Sequence, residues 1–339
     1  MTGRLSSYLI LTLSVTCTML FIFGCGESPQ IKISHDYPDT VYVDDLASEA
    51  TQIIREGLAD DDSDIRPKAI EVVADTKLIK LMPKVKRLLK DESVRVRFLA
   101  ALAAGDLEYS LARSDVEQLL EDGDENVRIA AAYAMYNFGS HDNLKIIRKA
   151  IASNDQTVRA NAALLLGKCG DRSVLKFLWW TMGRKDSADK VKFNAAEAIA
   201  RLGDERIYPK LWAMLISAYH DDRVFGAAAM GTLGTAEARD ALITMLDDDI
   251  LEVRLTAAEQ LGMLGETIGE PEVLDVFRKN LLAGLNKKDV ERVKVLTALA
   301  TGQICTEPVR EFVPLLLRDE SEYVRIAAAK AVFQCKMKD

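Results

Sequence analysis

The chain has 339 residues, of which 28% are charged and 49% are apolar. This balance is typical of a folded, helix-rich protein and differs from that of disordered or fibrous chains. The net charge is −8, with acidic and basic residues interleaved along the chain. Nucleic-acid binding requires a basic surface, so neither DNA nor RNA is an expected partner.

The N-terminal residues 1–24 have the layout of a secretory signal. Arg4 is followed by an apolar stretch from Tyr8 to Phe23, after which the sequence becomes polar. A charged start, an apolar middle and a small residue before the cleavage point are typical of exported proteins. One alternative is an uncleaved N-terminal anchor, although the apolar stretch is short for a membrane span of about 20 residues. The other is ordinary secretion, in which Cys25 has no role.

The end of this segment, Ile22-Phe23-Gly24-Cys25, resembles the signal of bacterial lipoproteins. Ile22 and Gly24 match that signal, whereas Phe23 is larger than the residue usually found there. The resemblance implies cleavage before Cys25, lipidation of Cys25 and a location in the bacterial cell envelope, at the outer membrane or its periplasmic face. Residues 25–46 are acidic, contain two prolines and show no helical apolar period, which predicts a tether.

A phrase like that of residues 124–139, DENVRIAAAYAMYNFG, recurs along the rest of the chain. Val127, Ala131, Ala134 and Phe138 follow helical spacing, and a second amphipathic stretch separates successive copies. One period therefore predicts a helix, a turn and a helix. A basic residue marks each of nine copies: Arg66, Arg95, Arg128, Arg159, Lys192, Arg223, Arg254, Lys294 and Arg325.

A single helix pair of this size cannot bury its own apolar face, whereas stacked pairs share one continuous core. The pattern therefore predicts an all-α fold, an α-solenoid of about nine stacked helix-turn-helix repeats over residues 47–339. It resembles the HEAT-repeat family, in particular the short repeats first described in phycobilisome lyases. That family also contains enzymes, so a lyase-like enzyme or a chaperone for a cofactor-bearing protein is the alternative function.

The recurring acid and base are interpreted as structural. An acid three residues before the valine can accept hydrogen bonds from the free N–H groups of a helix start. In HEAT repeats the following arginine typically reaches the acid of a neighbouring repeat, so the resemblance implies a ladder between repeats. The ladder is predicted to contain Asp91, Arg95, Asp124, Arg128, Asp155 and Arg159.

In solenoids of this kind the second helices usually line a concave surface that binds partners. Three positions per repeat form a stripe that points away from the apolar core. We expect this stripe to bind a protein partner of a monomeric, non-catalytic scaffold; a purely structural spacer is a further alternative. The predicted partner-binding residues are Arg97, Tyr133, Asn137, Asn161, Lys168, Asn194, Glu197, Arg201, Phe225 and Glu259.

The sequence offers no catalytic, cofactor or metal motif. Its three histidines are far apart, and it contains no His-Glu pair, CxxC or glycine-rich phosphate loop. Asp60, Asp62 and Asp64 match the first ligand positions of an EF-hand loop, but Ile65 occupies the place of the required glycine. A charged turn is the preferred interpretation, and no metal or cofactor is expected.

Two cysteines and a group of aromatic residues complete the candidates. Cys305 is assigned to the start of the first helix of the last repeat and Cys335 to the end of its second helix. Antiparallel helices would bring these ends together, so a disulfide can form there. The adjacent Trp179 and Trp180 cannot face the same direction, which predicts one in the core and the other exposed.

Overall fold

The computed structural model describes residues 39–338. The predicted signal, Cys25 and most of the predicted tether lie outside this range. The first helix begins at Asp39, so residues 39–46 are helical, and the predicted division of the chain into signal, tether and solenoid stays a prediction. None of the described helices is long and apolar enough to cross a membrane.

The described chain is helical throughout and contains nine helix pairs, which confirms the predicted α-solenoid. The first elements of the pairs are α1 (Asp39–Gly57), α3 (Met82–Arg87), α5 (Arg113–Gln118), α7 (Leu144–Ala150), α9 (Leu175–Gly183), α11 (Tyr208–Leu215), α13 (Ala236–Thr244), α15 (Glu270–Arg278) and, split in two, α17 (Glu307–Arg310) with α18 (Val313–Leu317). The second helices are α2 (Ile65–Asp75), α4 (Val94–Asp106), α6 (Glu125–Asn137), α8 (Gln156–Lys168), α10 (Asp189–Arg201), α12 (His220–Leu233), α14 (Leu251–Met263), α16 (Lys287–Ile304) and α19 (Glu322–Lys338).

Glycines bring the second helices of neighbouring repeats into close contact. A Cβ on Gly105 of α4 would lie 2.7 Å from Cα of Ala134 in α6, and one on Gly167 of α8 would lie 2.7 Å from Cα of Ala198 in α10. Equivalent contacts occur at Gly231, Gly262 and Gly302. Because the second helices pack so closely, the array curves with these helices on its inside; we call them the inner helices and the first helices the outer helices.

This curvature closes the array. The last helix, α19, packs against α16 on one side and against α1 and α2 of the first repeat on the other. A Cβ on Gly57 in α1 would lie 3.2 Å from the side chain of Ile326 in α19. Two ion pairs cross the same junction, Arg318 with Glu49 at 3.1 Å and Lys330 with Asp75 at 2.7 Å. We call this junction the seam and the closed array the ring.

The apolar core is continuous across the seam. One buried cluster extends from Leu46 and Ile54 of α1, through the intervening repeats, to Val332 and Phe333 of α19. A smaller cluster lies between α14 and α16 and includes Leu255 and Val293. Closure therefore buries apolar surface that an open solenoid would expose at its two ends.

The structure joins Cys305 and Cys335 in a disulfide, with Cα atoms 5.3 Å apart. Cys305 does not start a helix of the last repeat. It ends α16 in a left-handed conformation, with φ of 58°. The disulfide therefore links the matching ends of two neighbouring inner helices, α16 and α19, which run in the same direction. The antiparallel geometry from which the pairing was predicted is not the geometry that the structure shows.

Replacing Ile326 by Arg should open the ring. Ile326 is buried at the seam, and an unpaired charge there costs several kcal/mol, whereas the exposed seam ion pairs contribute about 1 kcal/mol or less each. Small-angle scattering should therefore show a larger radius of gyration for Ile326→Arg. The matched control is Met337→Arg, because Met337 is exposed on the same helix. An unchanged radius of gyration in folded Ile326→Arg would contradict closure.

Candidate functional site

Arginines link successive repeats at the N-terminal ends of the inner helices. In α4, Arg97 donates to the carbonyl oxygens of Asp91 and Glu92, at 2.9 and 3.0 Å. Its remaining N–H groups donate to both carboxylate oxygens of Asp122 in the next repeat, at 2.9 and 3.0 Å. Both side chains of this pair are largely buried. The residue thus holds its own interhelix turn and the next turn at once.

The same carbonyl bond recurs along the ring. Each of these arginines donates to the backbone carbonyl six residues earlier, and most also reach an acid of the following repeat. The arginines are Arg66, Arg97, Arg128, Arg159, Arg223, Arg254 and Arg325. Among the carboxylates of the described residues, none pairs with Arg128, because Ser153 occupies the position that Asp122 occupies one repeat earlier. Arg159 contacts Asp186 and Ser187 and is almost completely buried.

The acids have two separate roles that the sequence analysis combined. Asp124 and Asp155 are helix caps that accept backbone N–H groups of α6 and α8. Asp91 and Asp122 lie two residues before such a cap position, accept the backbone N–H two residues on, and receive the arginine of the preceding repeat. Asp248 does the same for Arg223. Asp124 and Asp155 were predicted to pair with arginines of neighbouring repeats. Within the described residues they cap helices instead and form no ion pair.

The pKa of Asp122 reflects its position in the ladder. Burial disfavours the ionised carboxylate, but hydrogen bonds from Arg97 and from the Asp124 N–H outweigh burial and lower the pKa. For Asp248, the bonds from Arg223 and the Ile250 N–H likewise outweigh burial. Because these groups bind protons more weakly when folded, their contribution to stability is present at neutral pH and is lost as the pH falls below about 4.

The structure places the predicted base of the second repeat differently. Arg95 is largely exposed and makes one ion pair, with Asp64 of the preceding repeat at 2.8 Å. Arg97 takes the ladder position instead, although the sequence analysis had assigned it to the partner-binding stripe. The signal was present in the spacing, because Arg66, Arg97, Arg128 and Arg159 are separated by a uniform 31 residues.

Most of the predicted polar stripe also connects neighbouring repeats. Tyr133 donates to Asp106 at 2.6 Å, and the side-chain amide of Asn137 donates to the Gly105 carbonyl at 3.1 Å. Asn161 and Asn194 make equivalent bonds to Asn126 and to the Ala160 carbonyl. Glu197 pairs with Arg201 on the same helix at 2.6 Å. These groups are therefore partly committed within the ring, and their predicted role in partner binding stays a prediction.

Other stripe residues show how narrow the interior is. Lys168 of the fourth repeat reaches Asp106 of the second repeat at 3.1 Å, past the helix between them. Glu259 of α14 makes no hydrogen bond within residues 45–338. Burial raises its pKa, and its charged neighbours are Lys330 and Asp75, in the ninth and first repeats. The Glu259 carboxylate therefore faces an interior that the opposite side of the seam also reaches.

A groove of about 340 Å³ lies on the inner side of the seam. Apolar side chains from α2, α16 and α19 line it: Val72, Leu296, Leu299, Ile326 and Ala327. Two of the bases at its rim are paired, Lys68 with Glu71 at 2.9 Å and Arg292 with Glu252 at 2.7 Å, whereas the lining Glu291 accepts a hydrogen bond from Ser321. We call this the seam groove. The groove could not be predicted from the sequence, because it exists only where the last repeat meets the first.

A second apolar feature lies on the inner helices of the fifth and sixth repeats. Phe193 of α10 and the exposed Phe225 of α12 stack with ring centroids 4.4 Å apart. They border a depression of about 40 Å³, together with Glu197 and Met214. Of the predicted partner-binding residues, Phe225 is thus the one that presents an exposed aromatic surface on the inner side.

The described residues offer little chemistry for catalysis or metal binding. Within residues 45–338, no group of three or more His, Cys, Asp and Glu side chains has the arrangement of a metal site. Asp60 and Asp62 each accept the backbone N–H two residues later, so they shape a turn. Burial raises the pKa of the Cys169 thiol to about 12, with Asp171 adding to this effect. This thiol is therefore protonated at neutral pH and a poor nucleophile.

The fold and the ladder define an α-solenoid protein whose repeats close into a ring. The family model for HEAT repeats matches residues 82–164, 144–228 and 221–287. Together these stretches cover more than half of the chain, which therefore belongs to the HEAT-repeat family. No curated protein sequence matches the chain significantly.

Several solved structures are similar to this chain at low identity. Human deoxyhypusine hydroxylase is 17% identical over 78% of this chain and 99% of its own, with a TM-score of 0.39. The CpcE–CpcF complex of phycocyanin lyase from Nostoc sp. PCC7120 is 17% identical over 74% and 93%, with a TM-score of 0.42. Kap95p in complex with RanGDP is 14% identical over 84% and 44%, with a TM-score of 0.36. No activity or partner carries over at these values.

Replacing Arg97 by Ala should destabilise the protein by about 2–3 kcal/mol, because it leaves two turn carbonyls and the largely buried Asp122 without their charged donor. The matched control is Arg95→Ala, two residues away, whose exposed ion pair contributes about 0.5 kcal/mol or less. Urea unfolding followed by circular dichroism measures both variants. Equal losses for the two variants would show that Arg97 has no special role in the ladder.

Proposed function

We propose that this protein is a lipid-anchored scaffold of the bacterial cell envelope whose ring binds a segment of a protein partner in the seam groove. The observation that carries the proposal is the groove itself, in which apolar side chains of three helices converge on the inner wall. HEAT repeats generally present extended inner surfaces to proteins. The scaffold acts by binding and has no catalytic step of its own.

The chemistry of the groove suits an apolar peptide segment. Its volume of about 340 Å³ is at the lower end for ligand pockets and accommodates a few apolar side chains. Lys68 is paired with Glu71, Arg292 with Glu252, and Lys330 with Asp75. Glu291 is the further charged residue that lines the groove, and it accepts a hydrogen bond from Ser321. Because the bases are paired and a single acid is left, burial of apolar side chains supplies most of the binding energy. An amphipathic helix or an extended segment with two or three large apolar residues fits this description.

The rest of the inner wall supports binding rather than chemistry. His141 meets Tyr136 edge to face and His220 contacts Asp221, so the two histidines of the described residues lie in different repeats and make local contacts. The Cys169 thiol is held protonated by burial. Three serine hydroxyls donate to carboxylates, Ser173 to Asp171, Ser217 to Asp222 and Ser321 to Glu291, but among residues 45–338 neither histidine is hydrogen-bonded to a serine or cysteine, as a catalytic triad requires.

Export is supported by two independent features. Residues 1–24 have a signal layout that ends at Cys25, and Cys305 and Cys335 form a disulfide. Disulfides persist in oxidising compartments such as the periplasm and are rare in the cytoplasm. We infer that the chain is cleaved before Cys25, lipidated at Cys25 and held at a membrane surface outside the cytoplasm.

Mass spectrometry of the N-terminal peptide tests this inference. In protein purified from native membranes, we expect a peptide that begins at Cys25 and carries a diacylglyceryl group. The control is the Cys25→Ser variant, which should keep residues 1–24 because lipoprotein processing requires the cysteine. An unprocessed N-terminus beginning at Met1 in the parent protein would remove both the cleavage and the lipid.

Photocrosslinking in cells tests the groove. We expect p-benzoylphenylalanine at position 299, in the groove, to give a discrete protein adduct. The same group at position 111, which is 70% exposed on the outer side, should give none. Leu296→Glu should lower the yield at position 299, because placing a carboxylate among apolar contacts costs several kcal/mol. Adducts from position 111 alone would contradict an inner binding surface.

A further inference from the structure

The outer side of the fifth and sixth repeats carries exposed aromatic residues that the seam groove does not explain. All three tryptophans of the chain lie between residues 179 and 212. Trp179 has a structural contact, because its indole N–H donates to the buried Asp204 at 3.0 Å. In contrast, Trp180 and Trp212 are 48% and 38% exposed. Their indole groups make no hydrogen bond within the described residues.

These residues lie on or directly after the outer helices of consecutive repeats. Trp180 is on α9, where the Arg184 guanidinium lies 4.7 Å from its ring centroid. Trp212 is on α11, and Ile216 follows it by one helical turn, so both point to the same side. Ile216 and Tyr219 are 66% and 74% exposed. We call Trp180, Trp212, Ile216 and Tyr219 the outer aromatic face.

The charge around this face is opposite in sign to that of the whole chain. The outer elements of the two repeats with their turns, residues 172–188 and 203–219, contain six Lys and Arg but only three Asp and Glu, in a protein of net charge −8. Two of the three acids, Asp186 and Asp204, pair with Arg184 and Arg206. Four exposed bases there have no ion pair within the described residues: Arg172, Lys176, Lys185 and Lys210.

Lysine beside exposed tryptophan favours a lipid surface over a protein surface. Protein interfaces are depleted in lysine and enriched in arginine, whereas three of the four unpaired bases here are lysines. Tryptophan and lysine both place an apolar body in the membrane interface and a polar end in water. Lys176 lies one turn before Trp180 on α9, and Lys210 lies two residues before Trp212 on α11.

We propose that the outer aromatic face docks on the headgroup region of a membrane that contains anionic phospholipids. Trp180 and Trp212 insert their rings at the boundary between headgroups and acyl chains, and the unpaired lysines contact the lipid phosphates. This contact requires no lipid on Cys25 and uses a surface outside the seam groove. It therefore goes beyond the scaffold function and gives the ring a fixed orientation on the bilayer.

Tryptophan quenching by brominated lipids tests the proposal. The full chain is mixed with vesicles of phosphatidylcholine alone or with added phosphatidylglycerol, each carrying bromine on the acyl chains. We expect quenching in the anionic vesicles, a smaller effect in the zwitterionic vesicles and loss of quenching at high salt. The Trp180→Phe/Trp212→Phe variant keeps only Trp179 and should show no quenching.

A charge reversal keeps the test independent of the tryptophans. Each lysine near an anionic surface raises the membrane partition coefficient about fivefold. Lys176→Glu/Lys210→Glu should therefore lower the partition coefficient onto anionic vesicles about 25-fold or more. Its matched control is Lys80→Glu/Lys288→Glu, since these lysines are also exposed and unpaired but lie in other repeats. Equal losses in both variants would overturn the proposal, because the effect would then follow net charge alone.

Quenching also distinguishes docking of the outer aromatic face from membrane attachment through a lipid on Cys25. A lipidated Cys25 would bring the protein to every vesicle, but it would not place Trp180 and Trp212 among the acyl chains. Quenching without a lipid on Cys25 would support the membrane face while removing the anchor. Absence of quenching in anionic vesicles, with or without that lipid, would overturn the proposal and would leave the face to a protein partner.

Discussion

The close approach of successive inner helices is the constraint on which the ring depends. Gly105, Gly167, Gly231, Gly262 and Gly302 lie near the C-terminal ends of their helices, where a Cβ would meet the next inner helix at under 3 Å. The backbones can approach because these residues have no side chain. Close inner packing opposite wider outer packing gives each repeat a small rotation, and solenoid curvature is the sum of such rotations. Over nine repeats the sum brings α19 against α1 and α2.

The arginine ladder fixes the opposite ends of the same helices. Each ladder arginine satisfies a turn carbonyl, and Arg97 also joins its repeat to Asp122 of the next with two bonds. Bidentate, largely buried pairs of this kind are much stronger than exposed ones. The inner helices are thus held by charge-assisted hydrogen bonds where they begin and by backbone contact where they end. This division explains why the acids and arginines recur along the chain.

Sequence alone predicted the repeats, their number and the all-α solenoid, because amphipathic periodicity and a period near 31 residues are local signals. Closure could not be predicted, since it depends on a rotation per repeat that no residue encodes by itself. The predicted ladder register failed at Val94-Arg95-Val96-Arg97, where two arginines compete. The uniform spacing of 31 residues favoured Arg97, and the pairing of Arg97 with Asp122 in the folded state agrees with that spacing. The polar stripe was similarly ambiguous. Nothing in the sequence distinguishes an asparagine that faces solvent from Asn194, which bonds the preceding repeat.

Closure also links the stability of the ring to occupation of its groove. The seam groove takes Val72 from the first repeat, Leu299 from the eighth and Ile326 from the ninth, so a bound segment contacts both sides of the seam. A ligand that binds the closed form better than the open form stabilises closure by the difference in binding free energy. The ion pairs that cross the seam are partly exposed and add little to closure. Apolar burial at the seam therefore dominates closure. A partner segment bound in the seam groove, as proposed above, would bury further apolar surface there and so stabilise the closed form.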